Sequence, residues 1–211
     1  MGKIIPGRWR PDKANTSPRS KARGVKSGAG SPYQLKVSLL EIEPEIWRQL
    51  CVPGGVSLDR LHKIFQVAMG WTNSHLHQFR VGEISYGVSD PDFDQGDVRD
   101  ERNVRLCEVA PTTNDSFVYE YDLGDHWEHR VVVEKILTLE ESPADIPVCL
   151  AGARACPPED CGGVPGYETF LEALRDPTHE EHQTMVTWVG GSFDPEAFDP
   201  NKVNKRLRRM R

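Results

Sequence analysis

The chain has 211 residues, 37% hydrophobic and 27% charged, with a formal net charge of −6. That length allows one sizeable core, and no run approaches the ~18 apolar residues that span a bilayer. Residues 1–30 carry eight Lys/Arg and one acid, residues 200–211 carry six Lys/Arg and none, and the body between holds 12 basic and 31 acidic side chains, a balance of −19.

A body that acidic repels a phosphate backbone, so contact with nucleic acid is expected only through the basic ends. The opening MGKIIPGRWRPDK has no apolar core like that of a signal peptide, and Pro6 stands where a myristoylation signal wants Ser or Thr. A cytoplasmic protein is the expectation. Its five cysteines, an odd number without a C-x-x-C pair, are then reduced thiols.

Residues 1–30 are rich in Gly, Pro, Ser, Lys and Arg and lack apolar periodicity, which predicts a disordered basic tail. Order begins at Tyr33, where Leu35, Val37 and Leu39 alternate with polar residues as in a half-buried strand. Pro44 breaks it, and EIWRQLCV is a second strand ended by Pro53-Gly54-Gly55. Ser57 stands at a helix N-cap. Leu58, Leu61, Ile64, Phe65, Ala68 and Met69 follow on one helical face, with Gly70 just past the end.

In HLHQFRV, period two puts His75, His77, Phe79 and Val81 on one face of a strand, and EISYG follows as its hairpin partner. The acidic loop holding Asp90, Asp92, Asp94 and Glu101 imitates a calcium loop. Gln95 stands where the sharp turn needs Gly, so a solvated loop is expected. The central hairpin is FVYEYDLGDHWEHRVVVEKIL. A three-residue turn at Gly124-Asp125-His126 sets Tyr121, Tyr119 and Phe117 opposite His129, Val131 and Val133. It also sets Glu120 opposite Arg130, and Asp122 against Glu128. Cys149 to Gly166 is predicted as a long loop. After it, Tyr167, Phe170, Leu171 and Leu174 mark one helix, and Thr178 with Glu181 forms a capping box for the next. Asp199 caps a last helix with Pro200 at its first position.

The segments WTNSHLHQFRV, YEYDLGDHWEHRVVVE, CLAGARACPPEDCGGVPGYETFLEAL and FDPEAFDPNKVNKRL, in that order, resemble the plasmid pRiA4b ORF-3-like family. The resemblance runs from about Tyr33 to Leu207. It implies a single compact α+β domain over 31–207, an antiparallel sheet whose hairpins are packed by several helices, with a basic end at 208–211. It also implies a protein found on plasmids, beside insertion-sequence transposases and on bacterial and archaeal chromosomes. It brings no established activity and no catalytic residues.

Asp-His pairs bind divalent metals or work as acid and base. The hairpin residues Tyr121, Asp125, His126, Trp127 and His129, with Glu159 and Asp160 of the Cys-Pro-Pro-Glu-Asp loop, are therefore the candidate ligand-binding set. Candidate metal ligands are His75, His77, His126, His129, Cys156 and Cys161. The turn has a purely structural account as well: Gly124 and Asp125 are ordinary turn residues, and Trp127 anchors the hairpin. The chain shows no G-x-S-x-G motif, P-loop or zinc-knuckle spacing. Two functions stay open: a non-enzymatic module binding a protein or small ligand, and a metal-dependent hydrolytic enzyme in which the His/Asp/Glu groups meet. Nucleic-acid binding through the basic ends is a third.

Overall fold

The computed structural model describes residues 30–88 and 98–210. Its strands are β1 (Pro32–Leu39), β2 (Trp47–Pro53), β3 (His77–Val81), β4 (Ile84–Gly87), β5 (Val98–Asp100), β6 (Ser116–Tyr121), β7 (Trp127–Ile136) and β8 (Val148–Ala153). Helices are α1 (Leu58–Met69), α2 (Leu106–Val109), α3 (Gly163–Arg175), α4 (His182–Trp188) and α5 (Pro200–Leu207). The strands form one sheet in the order β5-β4-β3-β6-β7-β1-β2-β8. Every neighbouring pair is antiparallel except β4 with β5.

Alternation in the strands separates the two faces of this sheet. Leu35, Val37, Leu50, Phe79, Tyr119, Val131 and Val133 are buried. They meet α1, whose Phe65 ring lies 5.1 Å from that of Tyr119. Burying each such side chain stabilises the fold by about 1.5–3 kcal/mol. Helix α1 matches its predicted face, and Gly70 ends it at φ 103. Ser57 sits at the N-cap, but its hydroxyl bonds Asp59 instead of the backbone. The opposite face of the sheet carries Gln34, Arg80, Glu120, Glu128 and Glu134, tied by cross-strand bonds.

The central hairpin differs from expectation in register. Tyr121 faces Trp127, Tyr119 faces His129, Phe117 faces Val131 and Glu120 faces Glu128. The connecting loop is 122–126, five residues rather than three. Asp122 builds it: Oδ1 accepts from the backbone of Gly124 and Asp125, and its carbonyl accepts from His126 N. A two-residue slip leaves every side chain on its predicted face, so the core pattern survives. Arg80 of β3 reaches both facing glutamates and relieves their repulsion.

Three other expectations change. Residues 149–153 of the predicted long loop belong to strand β8, one edge of the sheet, paired with β2. Asn204 of α5 covers that edge by bonding both the N–H and the carbonyl of Cys149. The Thr178–Glu181 capping box does not form. Thr178 bonds Asp176 twice, and α4 starts at His182 with no side-chain cap. Past Leu207, a 3₁₀ turn carries the chain to Met210, whose carbonyl accepts from Arg60. Residues 1–29 and the acidic-loop residues Asp90, Asp92 and Asp94 lie outside the described residues. Among the described residues, no helix is long and apolar enough to cross a membrane.

Candidate metal centre

Three segments far apart in sequence meet at one end of β6. The first is the connection from α1 to β3, the second is the hairpin tip, and the third is the Cys-Pro-Pro-Glu-Asp loop before α3. Trp71 pins the first to the third by donating Nε1–H to Pro157 O at 2.9 Å, and it stacks on Tyr121. Glu159 accepts from Thr72 N at 2.6 Å and from Thr72 Oγ1 at 2.9 Å. The Tyr121 hydroxyl accepts from Ser74 N and donates to Glu159 Oε2 at 3.1 Å. Burial, reinforced by the Glu159 carboxylate, pushes the Tyr121 phenol up to about 12, so it acts here as a neutral donor. Asp125 closes the third side by accepting from Gly162 N at 3.1 Å. That bond occupies an N–H at the start of α3 that an anion would otherwise use.

These ties bring His75, Asp122 and Asp160 together. One ligand atom from each lies within 4.8 Å of the others. His75 Nδ1 is 3.6 Å from Asp122 Oδ2, and Nε2 is 2.9 Å from Asp160 Oδ1 and 3.8 Å from Glu159 Oε2. The short Asp160 approach lies off the hydrogen-bonding direction, so Nε2 is shut from water and has no hydrogen-bond partner. Asp122 divides its carboxylate: Oδ1 builds the turn and Oδ2 faces His75. Asp122 and Asp160 both hold left-handed backbone, at φ 59 and 58. Non-glycine residues adopt that conformation at a cost of about 1 kcal/mol or more, and such residues cluster at functional sites.

The predicted candidates divide accordingly. His75 and Asp160 converge as metal-type donors with Glu159 beside them, while Tyr121 and Asp125 position the loops. His77 turns elsewhere: it bonds Glu101 at 2.9 Å and stacks flat on His62, ring centroids 3.4 Å apart. His126, 67% exposed, bonds Glu120 on the opposite sheet face. His129 is wholly buried, with Nδ1 at the Tyr119 carbonyl, and burial lowers its pKa to about 4. Trp127 is buried and anchors the hairpin, as expected. Cys156 lies against Arg48 Nη2, and burial holds its thiol up at about 11 and that of Cys161 at about 12. Neither thiol belongs to the converging cluster. Asp122, beside the turn histidines, is not among the candidate ligands named from the sequence.

The fold and this cluster define a class: a single α+β domain with an eight-stranded, mostly antiparallel sheet and a polar junction at the tip of its central hairpin. The chain belongs to the plasmid pRiA4b ORF-3-like protein family, which matches residues 31–202. It is 41% identical over 178 residues to y4hQ, an uncharacterised protein of Sinorhizobium fredii (strain NBRC 101917 / NGR234), covering 84% of this chain and 91% of that one. The crystal structure of MM3350, a protein of unknown function from Methanosarcina mazei Go1, is similar with a TM-score of 0.73 at 39% identity. It covers 81% of this chain and 96% of that chain.

Proposed function

We propose that this protein is a divalent-metal-binding domain of hydrolytic chemistry, its metal held by His75, Asp122 and Asp160. The observation that carries the reading is the convergence of these three ligand atoms from three separate segments. Two ligands of one zinc-sized ion lie about 3.0–3.4 Å apart, so binding draws the outer pair slightly inward. One imidazole and two carboxylates suit zinc, manganese or iron(II). Three protein ligands leave a position for water, whose acidity the metal raises. Glu159 Oε2, 3.8 Å from His75 Nε2, is the adjacent carboxylate that would accept a proton from such a water.

Elemental analysis of the purified full chain tests this. Stoichiometric metal is expected, lost in His75→Ala and retained in His126→Ala, whose side chain lies on the other sheet face. Absence of metal after reconstitution with zinc, manganese or iron(II) overturns the reading.

A second reading is a non-enzymatic accessory module, in keeping with a family found beside mobile elements. An open groove of about 800 Å³ on the opposite sheet face favours it, lined by Gln78, Arg80, Glu120, His126, Glu128 and Arg130. A protein or small ligand would bind there. Nucleic-acid contact through the basic ends is a third reading, and salt-dependent duplex binding lost on trimming both ends would reveal it. We place the protein in the cytoplasm, in keeping with its five free cysteines.

A further inference from the structure

Arg48 on β2 is 2% exposed and uses its donors on neutral acceptors. Nε donates to Ala68 O at 2.9 Å, and Nη1 donates to Trp47 O and Ala153 O at 2.7 and 2.8 Å. Nη2 donates to Arg154 O at 2.8 Å and reaches Cys156 Sγ at 3.4 Å. These bonds stitch the end of α1 to β2 and to the chain just past β8, which accounts for the hydrogen bonds. They do not account for the charge. Among the described residues no carboxylate pairs with Arg48. A charge buried without a counter-ion is costly, and an anion brought to it recovers part of that cost.

Arg48 borders a cavity of about 520 Å³, within the range of small-molecule sites. Lys202 and Arg206, one turn apart on α5 and both exposed, stand at the same cavity. Neither has an ion-pair partner among the described residues. The cavity's acid, Asp199, already caps α5 through Asn201 N. The remaining walls are mostly apolar, chiefly Val67, Met69, Val203 and Phe198, whose ring lies 4.3 Å from the Arg48 guanidinium carbon. Three cations against one carboxylate is a local reversal of the body's acidity.

We propose that this cavity binds a small organic anion, with its apolar body against Phe198 and Val203 and its carboxylate or phosphate between Lys202 and Arg206, above the buried charge of Arg48. The site is separate from the His75 cluster and does not depend on it.

Titration calorimetry on the full chain tests the proposal with 1-naphthoate and its uncharged counterpart, 1-naphthylmethanol. Naphthoate should bind at least ten-fold more tightly, and less so as salt is raised. Lys202→Gln with Arg206→Gln, both at exposed positions, should weaken naphthoate at least five-fold and leave naphthylmethanol unchanged. Val203→Trp, which fills the cavity and keeps the charges, should abolish both. Equal affinity for the two probes, undiminished naphthoate binding in the double variant, or binding of neither probe overturns the proposal.

Discussion

His75 Nε2 lies 2.9 Å from Asp160 Oδ1 with no hydrogen bond between them, and water does not reach that nitrogen. On the proposed reading, both atoms would turn toward one ion rather than toward each other. Asp160 belongs to a loop that Glu159 ties to Thr72 and Tyr121. The approach is therefore fixed by the surrounding bonds.

Asp122 separates turn-building from metal binding. Asp122→Asn keeps an oxygen for Gly124 N and Asp125 N and tolerates the left-handed backbone, so stability should change by about 0.5 kcal/mol or less. Metal affinity should still fall at least ten-fold, because a neutral amide replaces the carboxylate that faces His75. Asp122→Ala loses both roles, and about 1–3 kcal/mol of stability with them. Urea unfolding beside metal titration distinguishes these. An Asn variant with full metal affinity removes Asp122 from the site.

Tyr121 couples the core to the site. Tyr121→Phe leaves Ser74 N without its acceptor and Glu159 Oε2 without its donor. The cost should be about 1–3 kcal/mol, the usual penalty for stranding a partly buried polar group. The His75 segment hangs on the Ser74 bond, so metal affinity should fall in the same variant. Unchanged affinity would mean that Trp71 and the Thr72–Glu159 bonds hold the segment without Tyr121.

Much of the fold was legible because period two and period 3.6 are properties of consecutive residues. Leu35, Val37 and Leu39 announced β1, and Leu58 to Met69 announced α1. Strand β8 was not legible. After Val148 it has no β-branched or aromatic residue, and it is a strand because β2 offers an edge and Asn204 covers its other side. The hairpin register differs by two residues from the sequence expectation because Asp122 is loop and not strand. Its loop-building role needs the Gly124 and Asp125 amides, which are visible only after the chain turns. In the site, His75 and Asp160 were named from the sequence, yet nothing in it separated His75 from His77, two residues on. His77 has Glu101 and His62 as partners, and both come from distant segments.

Acid should destabilise the fold well above the carboxylate range. Burial lowers the pKa of His129 to about 4. It also lowers that of His62 to about 3, with His77 adding to the shift. Each folded pKa lies below the unfolded value of about 6.5. The unfolded chain therefore binds protons that the folded chain refuses, and stability falls as pH drops below about 6.5. The loss is about 1.4 kcal/mol per pH unit for each histidine until its folded pKa is reached. Urea midpoints at pH 7.5, 5.5 and 4.5 should show this slope, and His129→Phe should remove about half of it. A flat wild-type profile would mean that both rings accept protons in place.

Gly163, where α3 begins, fixes the distance between the metal loop and the hairpin. Its φ is +68, and a Cβ there would lie 2.7 Å from the Asp125 carbonyl oxygen. Backbone cannot yield as a flexible side-chain end does. Gly163→Ala should therefore cost about 2 kcal/mol or more, combining the left-handed penalty with the clash. Gly70, at φ +103, has nothing within 4 Å of its virtual Cβ. Gly70→Ala carries only the backbone penalty, about 1 kcal/mol. The clash pushes the hairpin tip from the loop that bears Asp160, so Gly163→Ala should also lose metal, while Gly70→Ala should keep it. Thermal melts with metal analysis on both variants give the comparison. Equal losses of stability with metal retained in both would show that the Asp125–Gly163 contact does not set the site.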